Sequence, residues 1–382
     1  MIYVDNASTS WPKPEAVYTA MNDFLRKNAG NPGRGSHSMA FAAAQVIEET
    51  RMLLARLFNI PWPERIIFTL NCTHAINIGL KGLLSPGDHV ITDSIGHNSL
   101  FRPLSKLERQ GVKVERLRPS SVNGSISPED IEKAMTPNTR LIVVTHGSNV
   151  TGLVQPIEKY GEVVRRHNIT FMVDAAQTAG LYQIDVQASN IDLLAFPGHK
   201  GLFGPPGTGG LYISKRTSLE TLCEGGTGSY SEQEEQPDIY PDKYESGTVN
   251  SVGICGLGAG VKFILQQGID NIRTHELKLV HQLIEGLSRI EGVHIHRAKD
   301  WEEQAPVISL TIDGYAPSEI GAILDQAFDI KLRTGLHCAP SVHKLIGTFP
   351  HGTVRLSPGF FNTEEEMNTV ITAIEKIARS RI

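Results

Sequence analysis

Residues 169–214 read "ITFMVDAAQTAGLYQIDVQASNIDLLAFPGHKGLFGPPGTGGLYIS". Two short apolar runs, "FMV" and "LLAF", are each too brief for a buried helix and have the length and composition of buried strands. The first ends on Asp174, with Gln177 three residues on; the second runs through Pro197 and Gly198 into His199 and Lys200. Lys200 then sits in a stretch crowded with glycine and proline, with no charged neighbour except the histidine. Working outward, the same alternation repeats. "RIIFT" precedes a helical "HAINIGLKGLL", "DHVITD" precedes "SLFRPLSKLERQG", and "TRLIVVT" precedes "IEKYGEVVRRHN". "ITFMVDA" leads into an expected short helix. Strands of four to six residues separated by amphipathic helices predict an α/β fold with a mostly parallel sheet covered on both faces.

The pattern changes at the polar, proline-containing "EQEEQPDIYPDKYESG" (232–247). Helical stretches then alternate with "VISLTID", "IKLRTG" and "TVRLSP". We expect a large α/β domain over 16–262 and a smaller α+β domain over 263–382, with residues 1–15 packing as an N-terminal segment. The 382 residues, 40% hydrophobic and 20% charged, suit a globular chain with a sizeable core. A net charge of −5 argues against a general nucleic-acid binder. No apolar run approaches the length of a bilayer span, and the N-terminus lacks a secretion-signal pattern. Four cysteines without a C-x-x-C pair argue against a disulfide scaffold, and the expected compartment is the reducing cytoplasm.

Ligands of open parallel sheets bind beyond the carboxyl ends of the strands. Those ends carry Asn71, Thr73 and His74; His97; His146, Ser148 and Asn149; Asp174 and Gln177; and His199 and Lys200. Singly, Thr73 reads equally as a helix N-cap or a phosphate anchor, Asp174 reads as the cap of the following helix, and His97 reads as a satisfied loop histidine. The glycines around Lys200 would bring backbone close, as a bound ligand requires. Together the set matches pyridoxal 5′-phosphate, which needs an amine, an acid partner for its ring nitrogen, a flat face for its ring and donors for its phosphate. Lys200, Asp174, His97 and Thr73 with His74 supply these. No Walker A pattern is present, and "GLGAG" (256–260) reads as small residues for helix packing.

"VDAAQ" followed by "PGHKGLFGPPGTGGLY" resembles the cofactor region of class V aminotransferase-like enzymes, and within these the group II cysteine desulfurases and selenocysteine lyases. The likeness extends through "YVDNASTSWPKPEAV", "NPGRGSH", "NCTHAIN", "HGSNVTG", "YESGTVN", "LRTGLHCAPSVH" and "VRLSPGFFNTEEE". The resemblance implies the fold type I of pyridoxal-phosphate-dependent transferases, as a homodimer with active sites at the subunit interface. It makes Lys200 the lysine that bonds the cofactor aldehyde, with His97 stacked on the ring, Asp174 on the ring nitrogen and Gln177 on the ring oxygen. Thr73 and His199 would hold the phosphate, and Thr248 would reach it from the other subunit. Asn149 and Arg355 would orient the substrate, Arg355 by a bidentate grip on its carboxylate. Cys338 falls on the nucleophilic cysteine.

Cys72, Cys223 and Cys255 read as small buried hydrophobes. Cys338 lies among turn formers beside His337 and near Arg333, a cationic, partly exposed setting that makes a thiol reactive. His337, Cys338 and His343 offer zinc-type donors, but no fourth ligand stands at a familiar spacing, and no metal site is expected. The chain departs from the family pattern at Pro197, where a serine is usual before Gly-His-Lys, at Val249 of "GTVN", and at Leu336, where a histidine is usual. The expected activity is conversion of L-cysteine to L-alanine with a persulfide on Cys338, passed to a sulfur-acceptor protein. The alternatives are a selenocysteine or cystine lyase, a class V enzyme that does not use Cys338, and a non-catalytic sulfur-transfer scaffold.

Overall fold

A seven-stranded sheet organises the first two thirds of the chain, in the spatial order 66–69, 209–213, 193–197, 170–174, 139–145, 89–93 and 113–117. The structure, a computed structural model, describes residues 1–33, 35–119 and 124–380; Arg34 of "NPGRGSH" lies outside them. Strand Gly209–Ile213 runs antiparallel to both neighbours, and the other pairings are parallel. Its direction follows from the connection: residues 198–208 contain no helix to carry a crossover, so the chain turns back. Strand Ile66–Thr69 is reversed a second time, which restores its direction to that of the central strands. Six of the seven strands therefore end at one edge.

The pleat sends alternate residues to two cores. Ile142, Val144, Phe171, Val173, Leu194 and Phe196 enter one cluster. Leu141, Val143, Met172, Leu193 and Ala195 enter the other. The short helix expected after Asp174 is absent: residues 175–182 form turns, in which Thr178 and Ala179 donate back to the Ala175 carbonyl.

Helix Ser251–Gln267 meets helix Ile269–Leu287 at 85° across Gly268, whose φ of 83° lies in the left-handed region. The expected boundary at 262/263 falls inside the first of these helices. That helix stays with the large core through Ile264, and the next helix adds Ile269 and Ile272 to the same core before Leu279 enters the smaller one. Its glycines are packing residues. A Cβ on Gly258 would meet Thr50 Oγ1 at 2.4 Å, and one on Gly260 would meet the Leu202 carbonyl at 2.3 Å.

Beyond the bend, an antiparallel sheet in the order 333–335, 353–356, 308–312 and 293–296 packs with the helices of 269–287, 317–328 and 364–379. The N-terminal segment joins this part. Ile2–Tyr3 pairs in parallel with Ile330–Lys331, and Val4 enters the same core. Elsewhere Arg51 and Glu245 form a buried ion pair at 2.9 Å, with side chains 3% and 8% exposed. Glu245 also accepts from Phe68 N at 2.7 Å. This pair ties down the loop that carries Thr248.

Candidate active site

The shared strand edge opens on a cavity of about 220 Å³ whose walls include Cys72, Thr73, His97, Asn149, Asp174, Gln177, His199, Lys200, Arg333 and Arg355. Asp174 ends the central strand Thr170–Asp174 and is 1% exposed. Its Oδ1 accepts from Ala176 N at 3.0 Å and from the Cys72 thiol at 3.3 Å. Oδ2 has no partner among the described residues. Burial raises its proton affinity, with the Ala176 N–H, the Cys72 thiol and Lys200 opposing.

Lys200 follows strand Leu193–Pro197. Burial and then the Arg355 charge bring its pKa down to about 8. The glycines beside it are required by protein packing as well. A Cβ on Gly198 would strike Thr208 Oγ1 at 2.1 Å, and one on Gly201 the Ala179 carbonyl at 2.5 Å.

His97 caps helix Asn98–Arg109, its Nδ1 accepting from Ser99 N at 3.0 Å. Burial, then the Lys200 charge, lowers its pKa to about 4. The ring is neutral with its proton on Nε2, an uncharged flat face. His199, also lowered to about 4 by burial, is held by its carbonyl, which accepts from Thr9 Oγ1 at 3.0 Å, Ser10 N at 3.1 Å and Lys13 Nζ at 2.8 Å. Gln177 Nε2 donates to the Ala7 carbonyl at 3.1 Å. The N-terminal segment is thus part of the site, which the sequence reading placed only with the small domain.

Asn71, not Thr73, is the N-cap of helix Cys72–Leu83, through its Oδ1 and His74 N at 2.9 Å. Thr73 is left in the first turn, at the cavity wall. His74 and Thr248 do not reach this cavity: both line a neighbouring one of about 350 Å³, where Thr248 is exposed.

Arg355 is fully buried. Nη2 donates to Asp5 Oδ1 and to Ser8 Oγ, both at 2.6 Å, and Nη1 donates to the Asn149 carbonyl at 3.2 Å. Its fork is therefore partly engaged within the protein. Only Nε lacks a partner among the described residues. Asn149 Nδ2 donates to the His337 carbonyl at 2.7 Å, tying this corner to the Cys338 loop.

Cys338 follows strand Arg333–Gly335, and with His337 it forms two successive non-glycine residues in the left-handed region, at φ 58° and 49°. Its thiol sits 3.2 Å from Arg333 Nη2, and Arg333 lines the cavity although Cys338 does not. His337 is not the expected cation. It is buried, bonded through Nε2 to Thr353 Oγ1 at 3.0 Å, and pushed down to about 2 by burial, so it is neutral. Arg333 supplies the charge. Of the other cysteines, Cys72 is buried as expected, Cys255 is half-buried, and Cys223 is exposed.

The profile of the family described as aminotransferase class V matches residues 2–370. A probable cysteine desulfurase of Methanothermobacter thermautotrophicus is 36% identical over 99% of this chain and 94% of the relative. Another from Pyrococcus abyssi is 34% identical over 100% and 95%. Among solved structures, the apo cysteine desulfurase of Thermococcus onnurineus NA1 superposes with a TM-score of 0.92 at 32% identity, covering 99% of this chain and 95% of that one. The cysteine desulfurase CsdA of Escherichia coli, in an S-sulfonic acid form, gives 0.88 at 27% identity, covering 99% and 94%.

Proposed function

We infer that this chain, which belongs to the aminotransferase class-V family, is a cysteine desulfurase that works with pyridoxal 5′-phosphate. The cavity suits that cofactor on its own residues. Asp174 Oδ2 is a buried acceptor without a donor, which a protonated ring nitrogen would supply. The first turn of a twelve-residue helix ends at the wall, where free N–H groups and the helix dipole suit a phosphate. His97 offers a neutral face and Lys200 an amine.

When bound, the cofactor supplies an aldehyde for covalent attachment of amino groups and a ring that withdraws electrons from the substrate. The protein's own groups do the rest. An amine titrating near about 8 is neutral often enough to accept the proton of the substrate Cα. Arg355, through its unpartnered Nε, and Asn149 hold the carboxylate. Gln177, on the cavity wall, would donate to the ring oxygen. Cys338, beside Arg333, attacks the substrate sulfur: an S–S bond forms and the substrate C–S bond breaks. L-Cysteine and the Cys338 thiol thereby become L-alanine and a Cys338 persulfide, with all atoms accounted for.

The observation that carries this reading is the thiol of Cys338 against Arg333, at the rim of a cavity holding both Lys200 and Asp174. The test is incubation with L-cysteine and a reductant, with alanine and sulfide scored together. Equal amounts of the two are expected; no alanine sinks the assignment.

A homodimer is part of the proposal. Thr248 is exposed, and its cavity is also lined by Leu70 and Leu222, which are 60% and 38% exposed. A second subunit would cover this apolar wall. We further propose a sulfur-acceptor protein as partner and the cytoplasm as compartment, since the persulfide needs an outlet and its thiol must stay reduced.

A further inference from the structure

Cys72 opens helix Cys72–Leu83, and both its thiol and Asp174 are deeply buried, at 7% and 1% exposure. Asp174 Oδ1 receives two donors, Ala176 N and Cys72 Sγ, and Oδ2 receives none among the described residues. A carboxylate with one oxygen doubly held and the other bare has a fixed orientation, and the bare oxygen belongs to a residue of the cavity wall. We propose that Cys72 is a positioning residue, whose thiol donates to Asp174 Oδ1 and so presents Oδ2 to the ring nitrogen of bound pyridoxal phosphate. This rests on the cofactor reading above and adds a residue to it.

Burial, with Asp174 beside it, holds the Cys72 thiol well above its ordinary pKa, so the sulfur keeps the proton it donates. With no donor here, Oδ1 would keep only the Ala176 N–H, and the carboxylate could turn about its last bond. Oxygen in place of sulfur would preserve the contact; a hydrocarbon of similar bulk would not.

Two measurements test this, one without cofactor. In the infrared spectrum of the full-length apoprotein, the S–H stretch of Cys72 is assigned as the band lost in Cys72→Ala. It should lie below that of the exposed Cys223 and move to higher frequency in Asp174→Asn. A band that ignores Asp174→Asn overturns the proposal. In the second, apoprotein is titrated with pyridoxal phosphate by absorbance. Cys72→Ser should bind within about twofold of wild type, and Cys72→Ala and Cys72→Val about three- to tenfold more weakly, the loss of one modest hydrogen bond. Full affinity in Cys72→Val means that the sulfur merely fills space, which also overturns the proposal. A wild-type apoprotein that takes up no pyridoxal phosphate instead defeats the functional reading, and the infrared result then decides the thiol contact alone.

Discussion

Arg333 Nη2 lies 3.2 Å from Cys338 Sγ, so the charge beside the thiol comes from the preceding strand and not from the adjacent histidine. The guanidinium against this sulfur favours negative charge developing on it, so Arg333→Met should slow alkylation of Cys338 by iodoacetamide at neutral pH. His337→Gln should change it far less. Peptide mass spectrometry over a time course reads both rates, and the reverse ranking would contradict the assignment.

Cys338→Ala should bind pyridoxal phosphate as wild type does but release no alanine from L-cysteine. Brief exposure of wild type to L-cysteine should add one sulfur to the peptide containing Cys338. Turnover by the variant at the wild-type rate would replace the desulfurase with a lyase that eliminates sulfur without a protein thiol.

Arg355→Ala should raise KM for L-cysteine strongly, since a buried charge pair to a carboxylate costs about 2–5 kcal/mol when one partner is truncated. Asp5→Asn provides the control. It removes the ion pair at 2.6 Å but keeps the guanidinium, so its effect on KM should be smaller. An unchanged KM in Arg355→Ala would take the arginine out of substrate binding.

Acid should weaken the fold through His146. It is buried, and its pKa falls from 6.5 to about 3. Below pH 6.5 the unfolded chain takes up a proton that the folded chain refuses, so stability is lost as pH falls, by about 2 kcal/mol at pH 5 from this group. Urea unfolding at pH 7 and pH 5 measures the difference, which should shrink in His146→Leu. His97 and His199, both lowered to about 4, add losses of the same sign.

Glu245→Ala should cost about 3–5 kcal/mol, because it leaves the Arg51 guanidinium buried without its main partner. Arg51→Met combined with Glu245→Leu should recover most of that. Chemical denaturation of the single and double variants reads the coupling, and additive losses would show that the pair does not act as a unit.

Lys200, Asp174 and His97 were legible because each follows a short apolar strand, and parallel strands must end at one edge. The direction of strand Gly209–Ile213 was less open to reading, since it depends on a loop having no helix. The Ser10 and Lys13 contacts to the His199 carbonyl lie 189 and 186 residues apart in sequence. No local pattern marks them. Cys72 read as a small apolar residue because only the folded sheet brings Asp174 to its sulfur. His337 misled for the opposite reason: its neighbours in sequence are loop formers, yet the ring is buried against Thr353.

Asp5 and Arg355 are 350 positions apart. On a ribosome, the fifth residue emerges long before its partner strand exists, and contacts of such separation form late because the intervening chain must first be closed. The large sheet can assemble from local strand–helix units while Asp5 and Ser8 wait for Arg355. Binding competence should therefore trail sheet formation during refolding: far-ultraviolet dichroism recovers first, and uptake of pyridoxal phosphate follows as a separate, slower phase.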